Sequence, residues 1–469
     1  MSAREQTRNS AAFSSVDPTT GQAFADWSVA TPKERAGKLT SGRRAAREWR
    51  DTGSEARATL LAAVADQLGD RRLDLAAIAT REMGKPLAES LAEVDKCANA
   101  CRWFAEHGAA MLADEPLDSS GSEAYASYLP LGLIFAIMPW NYPYWQVFRH
   151  AAPAVAAGNA VLVKHAENTL GVAHAIADVF SKAGAPAGLV DTIVCTVDEA
   201  KECIEADEVA AVTLTGSTRA GASVAATAGG VWKKTVLELG GSDAFVVLDD
   251  AQVEQAAKTA VKARFQNTGQ SCIAAKRFIV VESVADAFIE AFVEHARALV
   301  VGNPTEEGTT IGPMARADLR DQLAKTLQQS VDGGATVLVP GGPRDGDGFF
   351  FDPVVLCVDD LSLPCWREET FGPLAPIARV RDEGQALDVA NDSLYGLGGN
   401  VWTGDLERGK AFARQVESGA VFVNGMTASD PRLPFGGVKR SGYGRELSTV
   451  GIREFTNVQT VWVGRSAGI

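Results

Sequence analysis

Residues 133–164 read LIFAIMPWNYPYWQVFRHAAPAVAAGNAVLVK. Two short apolar runs in this stretch, Leu133–Met138 and Ala160–Lys164, have the length and composition of buried strands, and Pro139 ends the first of them. The segment between the runs, from about Tyr144 to Ala157, has the apolar spacing of a helix. A strand, a helix and a second strand in this order predict a βαβ unit with parallel strands.

The same alternation continues along the chain after a helical region at residues 33–110. Further strands are predicted at Leu189–Cys195 and Ala210–Thr215, with helices at Thr169–Ala183, Glu199–Ala206 and Thr218–Ala228. After Gly240 and Gly241 a second series of strands is predicted at Ala244–Leu248, Phe278–Val281, Ala335–Val339, Leu374–Val380 and Ala420–Asn424. Its helices are predicted at Gln252–Phe265, Val284–Val300, Gly384–Asn391 and Asp405–Val416. The pattern therefore indicates an α/β fold with two open-sheet lobes and a cleft where they meet.

The composition is that of a globular protein with more than one domain. The chain has 469 residues, of which 46% are hydrophobic and 22% are charged, so collagen-like, disordered and coiled-coil proteins are excluded. Its length exceeds the roughly 250–300 residues at which a single core stops growing, so two or three domains are expected.

Charge and cysteine usage exclude several classes of partner. Lys and Arg number 45 against 59 Asp and Glu, and the resulting net charge of −14 argues against a nucleic-acid partner. No apolar run approaches the roughly 18 residues of a membrane helix, and the first residues lack the apolar core of a secretory signal. We therefore expect a cytoplasmic protein without a membrane partner. The seven cysteines indicate no disulfide framework, and no metal site is expected.

Two segments offer groups for covalent and acid–base chemistry. In QNTGQSC, residues 266–272, Cys272 follows a glycine-containing turn that can present its sulfur to a cleft, although a lone cysteine is more often a small buried apolar side chain. In TVLELGG, residues 235–241, Glu238 is a carboxylate within an apolar strand. If it borders the cleft, desolvation raises its pKa toward the range of a general base; at a strand end it could instead face solvent.

Two further segments follow predicted strands. Asn141 in MPWNYP comes directly after Leu133–Met138, where its amide can donate to a developing oxyanion. TGSTRAG, residues 215–221, opens a helix whose backbone N–H groups suit a phosphate. Its glycine spacing matches neither the G-x-G-x-x-G fingerprint nor the G-x-x-x-x-G-K-[ST] loop, so this segment alone does not identify a nucleotide site.

Taken together, seven segments in chain order resemble the aldehyde dehydrogenase superfamily, from about Trp49 to Trp462. They are MPWNYP (138–143), GNAVLVKHAE (158–167), TGSTRAG (215–221), LELGGSDAF (237–245), NTGQSC (267–272), EETFGP (368–373) and PFGGVKRSGYGRE (434–446). Within that superfamily, the segments KHA, LELGGSD, CIAAKRF and PFGGVKRSGYGREL are similar to the bacterial succinate-semialdehyde dehydrogenases.

The resemblance implies a covalent mechanism. Cys272 would attack the aldehyde as a thiolate, and the Asn141 side chain with the Cys272 backbone N–H would hold the oxyanion. Hydride transfer to nicotinamide would leave a thioester, and water activated by Glu238 would hydrolyse it to the free acid. The residues that the resemblance assigns to the cofactor are Trp140, Lys164, Glu167, Gly216, Ser217, Glu369 and Phe371.

The resemblance favours NAD as the cofactor, with NADP as the alternative. Glu167 would accept hydrogen bonds from both ribose hydroxyls, and its charge would repel a 2′-phosphate. Similar semialdehyde enzymes that use NADP tend to have a small residue at this position.

The substrate expected from the resemblance is succinate semialdehyde, oxidised to succinate. Well-known enzymes of this kind grip the distal carboxylate with two arginines, and Arg149 matches the first. The second lies six residues before the nucleophile, where this chain has Gln266. Arg432 could replace it or could be a solvated loop charge. Another aliphatic or aromatic aldehyde is an alternative substrate, and a cofactor-independent cysteine esterase or hydrolase is an alternative of another class.

The resemblance also implies three structural parts. These are a cofactor-binding domain over residues 1–114 and 131–240, a catalytic domain over residues 241–440, and a small β bridging element over residues 115–130 and 441–469. Because the strand around VQTVWV (458–463) would form an edge that needs a partner, a homodimer or homotetramer is expected.

Overall fold

A computed structural model of the chain describes residues 12–464, so residues 1–11 and 465–469 of the expected domains lie outside the described range. Its helices are α1 (Pro32–Arg50), α2 (Ser54–Asp70), α3 (Arg72–Met83), α4 (Leu87–Met111), α5 (Trp145–Ala156), α6 (Leu170–Lys182), α7 (Val197–Glu205), α8 (Thr218–Gly230), α9 (Val253–Phe265), α10 (Glu282–Arg297), α11 (Ala317–Asp332), α12 (Pro364–Arg367), α13 (Glu383–Asn391), α14 (Leu406–Ala413) and α15 (Ser448–Glu454). A 3₁₀ turn covers Gln266–Gly269.

The strands are short, and most belong to one of three sheets. They are β1 (Ala12–Asp17), β2 (Gln22–Ser28), β3 (Glu115–Pro116), β4 (Glu123–Pro130), β5 (Leu133–Met138), β6 (Ala160–His165), β7 (Val190–Thr192), β8 (Val209–Thr215), β9 (Lys234–Glu238), β10 (Asp243–Val247), β11 (Ala275–Val281), β12 (Thr336–Val339), β13 (Gly342–Pro343), β14 (Phe351–Asp352), β15 (Val354–Cys357), β16 (Leu374–Val380), β17 (Tyr395–Gly396), β18 (Gly398–Trp402), β19 (Ala420–Val423), β20 (Val438–Lys439), β21 (Gly442–Tyr443) and β22 (Thr456–Val463).

The first lobe is built on a six-stranded sheet of order β21-β9-β8-β5-β6-β7. Strands β5 to β9 are parallel, and β21 adds an antiparallel edge. Numbered along the chain, the parallel strands have the order 3-2-1-4-5, which is that of a dinucleotide-binding sheet. The direction of winding reverses between β5 and β8, and ligands of such sheets bind beyond the carboxyl ends of the strands at that point.

The second lobe contains a seven-stranded sheet of order β12-β15-β16-β11-β10-β18-β19. Only β12 among these strands runs antiparallel to its neighbour. Separate apolar clusters cover the two faces of this sheet. Because both faces are buried, strands such as β10 and β11 are fully buried along their length. Both lobes confirm the predicted α/β fold.

Helix α5 connects the first sheet to the cavity described below. All of its residues are buried, and it packs against α4 and α2 in the core of the first lobe. Trp49 on α1 donates from Nε1 to the carbonyl of Val155 on α5 at 2.9 Å. Helix α5 is therefore held from several sides, which fixes the position of the side chains that it directs toward the cavity.

A third, three-stranded sheet has the order β22-β4-β3, with β22 and β4 paired antiparallel over eight positions. The structure differs from the expected bridging element in one respect. Gly442–Tyr443 joins the edge of the first-lobe sheet, because Leu239 N donates to Ser441 O and Ser441 Oγ donates to Gly240 O. Within residues 441–464, only Thr456–Val463 lies in the three-stranded sheet.

No helix within residues 12–464 has a stretch long and apolar enough to cross a membrane.

Candidate active site

A cavity of about 590 Å³ opens between the two lobes. Its lining comes mainly from α4, α5, α9, the segment after α9, residues 426–429 and Phe435. Three residues predicted from the sequence lie on its surface: Cys272, Arg149 and Gln266. The structure thus places the proposed nucleophile, Cys272, and one cation proposed to bind the substrate, Arg149, on the same cavity.

The segment before Cys272 folds into a tight, strained turn. Asn267, Thr268 and Gly269 have positive φ angles of 55°, 56° and 72°, and such a conformation costs a non-glycine residue about 1–3 kcal/mol. Asn267 offsets this cost because its Nδ2 donates to the carbonyls of Asn141 at 2.8 Å and Gln270 at 2.9 Å. Gly269 is required here, since a Cβ would lie 2.5 Å from the carbonyl oxygen of Gly372. The turn therefore fixes the backbone that carries Cys272.

A buried lysine holds the same segment from its other side. Lys276 Nζ donates to the carbonyls of Ser271 and Cys272 at 2.8 Å each. The same ammonium lies 3.6 Å from Oε1 of Glu369, which also accepts from Gly241 N at 2.9 Å. Lys276 thus links the Cys272 backbone to a carboxylate that the resemblance assigns to the cofactor. Lys276 was not predicted as a site residue, although a lysine within an apolar strand indicates a buried charge that needs partners.

The environment of Cys272 sets its protonation state. Burial raises the pKa of the thiol to about 11, while the charges of Arg149 and Lys276 act to lower it. The charges of Glu369 and Glu238 raise the pKa of the thiol. At neutral pH the group is therefore the thiol, and its attack on a carbonyl needs a proton acceptor nearby.

Asn141 lies beside the nucleophile segment, where the sequence analysis expected an oxyanion donor. It follows β5, is 3% exposed, and donates from Nδ2 to the carbonyl of Gln270 at 3.1 Å. The Asn141 amide is therefore hydrogen-bonded to the backbone of Gln270, which lies two residues before Cys272 in the sequence. Next to it, the Trp140 ring meets Phe371 edge to face, with ring centroids 5.6 Å apart.

Glu238 is a buried carboxylate at the carboxyl end of β9. It is 2% exposed, and neither carboxylate oxygen has a hydrogen-bond partner among the residues that the structure describes. Burial raises its pKa well above the usual range, and the neighbouring Glu446 raises it further against the charges of Arg149 and Arg445. Glu238 does not line the cavity, but its charge is close enough to affect the pKa of Cys272. A carboxylate in these surroundings suits a general base.

Arg149 is buried between the cavity and this pair of carboxylates. Its Nε forms an ion pair with Oε2 of Glu446, its Nη2 donates to Thr215 Oγ1 at 3.3 Å, and the guanidinium lies 4.4 Å from the Phe435 ring centroid. Burial raises the pKa of Glu446, and Arg149 opposes that rise. Glu446 is the last residue of the PFGGVKRSGYGRE motif, and no pattern in the sequence indicates its ion pair with Arg149.

The carboxyl ends of β6 and β8 carry groups that suit a dinucleotide. Lys164 Nζ donates to the carbonyl of His165 at 3.2 Å and lies 3.9 Å from Glu167 Oε1, so it has donors to spare. Ser217 caps α8 by accepting from Ala220 N at 3.3 Å, and the first turn of α8 contains no acidic residue. This set of an ammonium, a carboxylate and a helix amino terminus fits the ribose and pyrophosphate of NAD(P).

Two glycines keep the adjoining space open. A Cβ on Gly216 would find no atom closer than 3.8 Å, whereas a Cβ on Gly240 would lie 2.2 Å from Oε2 of Glu369. Glu369 therefore needs a glycine at 240 in order to reach the backbone of Gly241.

Arg432 is not brought to the cavity. Its side chain is 66% exposed and is engaged with Asp430, to which Nε donates at 2.7 Å. Of the two readings open from the sequence, the structure favours the solvated loop charge. No group of His, Cys, Asp and Glu side chains within residues 12–464 could hold a metal ion.

Comparison with known proteins identifies the family. The aldehyde dehydrogenase family profile matches residues 5–461. The chain belongs to the aldehyde dehydrogenase family. This enzyme is 47% identical over 453 residues to the succinate semialdehyde dehydrogenase (NAD(P)+) Sad of Escherichia coli (strain K12), covering 96% of this chain and 98% of that protein. It is 44% identical over 458 residues to the succinate-semialdehyde dehydrogenase (NADP(+)) of Mycolicibacterium paratuberculosis, covering 97% of each.

The fold is similar to that of solved aldehyde dehydrogenases. The succinic semialdehyde dehydrogenase of Streptococcus pyogenes, in complex with NADP+ as the cofactor, matches with a TM-score of 0.94 at 35% identity. The match covers 97% of this chain and 100% of that chain. Both comparisons confirm the resemblance and the predicted α/β fold, and the aldehyde dehydrogenase is accordingly an oxidoreductase.

Proposed function

We propose that this aldehyde dehydrogenase oxidises succinate semialdehyde to succinate, with NAD(P)+ as the hydride acceptor. The observation that carries the substrate assignment is Arg149, a buried cation on the wall of the cavity that also contains Cys272. The names of the E. coli and M. paratuberculosis relatives support the same assignment. When bound, the nicotinamide takes up the hydride that leaves the substrate carbon.

The residues of the chain perform the other steps. The thiol of Cys272 loses its proton to Glu238, whose raised pKa suits it to accept one, and the sulfur then bonds to the aldehyde carbon. The Asn141 amide and the Cys272 backbone N–H donate to the oxygen that becomes negative. After loss of hydride the acyl group is a thioester on Cys272. Glu238 releases the first proton to solvent, takes a second from the water that attacks this thioester, and returns that proton to the departing sulfur, which frees succinate and restores the thiol.

The substrate assignment predicts a preference for a carboxylated aldehyde. The wild-type kcat/KM for succinate semialdehyde should exceed that for butanal, and Arg149→Ala should lower the ratio of the two by about 10- to 100-fold, as expected for loss of a hydrogen bond to a charged group. Taking the ratio cancels any general damage from leaving Glu446 unpaired. Arg432→Ala is the matched control and should leave the ratio unchanged, because this arginine is exposed and engaged with Asp430.

The aldehyde panel also tests the alternatives. Equal kcat/KM values for succinate semialdehyde and for uncharged aldehydes would favour an aldehyde dehydrogenase of another substrate. Turnover of esters at a rate indifferent to NAD(P)+, with no aldehyde oxidation, would favour the cysteine hydrolase.

We also propose that NAD is preferred to NADP. Glu167 lies at the end of β6 with a half-exposed carboxylate close to Lys164, where its charge would repel a 2′-phosphate. Glu167→Ser should raise kcat/KM for NADP relative to NAD by about 10-fold or more, since like charges in contact cost several kcal/mol. Glu205→Ser, at an exposed position on α7, should not change this ratio. A strong wild-type preference for NADP would refute the assignment.

A homodimer or homotetramer and a cytoplasmic location belong to the same proposal. Strand β22 exposes Val458 and Trp462, which are 59% and 55% accessible in the single chain, and apolar side chains on such a strand favour burial against a second copy. Sedimentation equilibrium of the purified protein measures the oligomeric state, and a monomer at micromolar concentration would contradict the proposed oligomer.

The proposed cytoplasmic location is supported by the cysteines. All seven are free, which suits a reducing compartment.

A further inference from the structure

The cavity wall contains a second cation that the sequence analysis did not consider. Lys96 on α4 lines the same cavity as Arg149, Gln266 and Cys272. Its Nζ donates to Ser429 Oγ at 2.8 Å and lies 4.2 Å from the ring centroid of Trp145. Both contacts fix the direction of a side chain that is otherwise flexible, so the ammonium has a defined position in the wall.

The acids near Lys96 are already engaged with other groups. Glu93 accepts at Oε1 from the backbone N–H groups of Tyr144 and Trp145, at 2.8 Å each, and its Oε2 pairs with Lys85. Asp430 is engaged with Arg432. Lys96 makes no ion pair with any residue of the described chain, so its charge is available to a ligand.

The electrostatics of this wall indicate an anion. Burial, with a smaller contribution from the neighbouring charge of Arg149, lowers the pKa of Lys96 to about 8. Arg149 is paired with Glu446, whereas Lys96 has no carboxylate partner, so an anion bound beside Lys96 would offset the cost of burying its charge.

The hydrogen bonds of Ser429 point to the same ligand chemistry. Its Oγ accepts from Lys96 Nζ at 2.8 Å and from Trp145 Nε1 at 3.0 Å. A hydroxyl has two acceptor positions and one donor, so these contacts use the acceptors and leave the O–H free to donate. A carboxylate oxygen accepts such a bond, whereas the methyl group of an uncharged aldehyde cannot.

We propose that Lys96 is the second cation that binds the distal carboxylate of the substrate, together with Arg149, in place of the arginine that is absent at Gln266. This inference rests on the proposed function. It assigns to a residue of α4 the role that the sequence analysis considered for Arg432. Discrimination between carboxylated and uncharged aldehydes then depends on two cations from adjacent helices, α4 and α5.

The test is the ratio of kcat/KM for succinate semialdehyde to kcat/KM for butanal. Lys96→Met should lower this ratio about 10- to 100-fold, mainly through a higher KM for the semialdehyde, because a charged hydrogen bond is lost. Lys96→Arg should keep most of the ratio, since it retains a cation. Lys201→Met is the matched control: Lys201 is exposed on α7 and does not line the cavity, so its loss should leave the ratio unchanged.

A pH profile separates binding from a purely structural role. Above pH 8 Lys96 loses its charge, so the wild-type ratio should fall as the pH rises through about 8, and Lys96→Arg should abolish that fall. The titratable groups that act on Lys96 are Arg149 on α5, Glu93 and Cys97 on α4, and Asp430 in the loop before Phe435. Glu89 on α4, whose pKa burial raises to about 7, lines the same cavity. Ionisation of Cys272 affects both substrates and cancels in the ratio.

The outcomes separate this inference from the proposed function. If the wild-type enzyme shows no preference for succinate semialdehyde, the proposed function fails. If the wild-type preference persists in Lys96→Met, only the role of Lys96 fails. Should Lys96→Met not fold, the wild-type profile decides, because a ratio constant across pH 8 would overturn the inference.

Discussion

Cys272→Ala is expected to lower kcat for aldehyde oxidation by at least about 10⁴-fold, as found when an enzyme loses its covalent nucleophile. The structure explains why no other thiol can substitute. Cys272 is the one cysteine on the cavity wall within the described residues. Asn141 and Lys276 donate hydrogen bonds to the backbone carbonyls of residues 270–272, which carry this cysteine. The measurement is the initial rate of NAD(P)H formation with saturating aldehyde.

Cys357→Ala provides the matched control for this variant. Cys357 is also partly exposed, but it lies on β15 in the second lobe, away from the cavity. Its replacement should leave kcat unchanged. Retention of aldehyde oxidation by Cys272→Ala at a rate similar to that of Cys357→Ala would exclude a covalent step at Cys272.

Glu238→Gln is expected to lower the steady-state kcat about 10²- to 10⁴-fold, the range for loss of a general base. Both proton transfers assigned to Glu238 are affected at neutral pH. The first transfer, from the Cys272 thiol, becomes unnecessary at high pH, because the thiol ionises without a base as the pH approaches 11. Hydrolysis of the thioester still lacks its base.

A rapid-mixing experiment therefore distinguishes the two roles of Glu238. As the pH is raised, Glu238→Gln should form a burst of NAD(P)H close to one per active site, followed by slow turnover. Glu254→Gln, at an exposed carboxylate paired with His295, should behave as the wild-type enzyme. Full turnover by Glu238→Gln at neutral pH would remove Glu238 from the mechanism.

Most of the fold could be predicted because the main strands are buried. Leu133–Met138 was predicted with the bounds that the structure shows, since every residue between two helical layers must be apolar. The hairpin of β1 and β2 was not predicted, because only one of its residues is fully buried and polar residues interrupt its short apolar pattern. It is attached to α3 by a long-range contact, from Ser15 Oγ to Glu82 Oε1 at 2.7 Å, which no local pattern indicates.

The residues of the candidate site also differ in how well the sequence predicts them. Cys272, Glu238 and Asn141 lie in short motifs at strand ends or turns, so their residue types and positions were informative. Lys96, by contrast, is a single lysine on a 25-residue helix, and its partner Ser429 is 333 residues away in the chain.

Substrate cations are the least predictable part of the site. Arg432 was considered for its place next to a matching motif, but an adjacent Asp430 engages it at the surface. Which cation reaches the cavity depends on how α4 packs against α5 and on residues 426–435. That packing is a property of the folded chain and has no local sequence signature.

The most direct measurement is the mass of the protein after Glu238→Gln is mixed at alkaline pH with NAD+ and succinate semialdehyde, followed by peptide mapping. We expect each chain to gain one succinyl group, attached to Cys272, since the thioester forms and its hydrolysis lacks a base. An unmodified protein after NADH has formed, or a succinyl group on any other residue, would contradict this expectation.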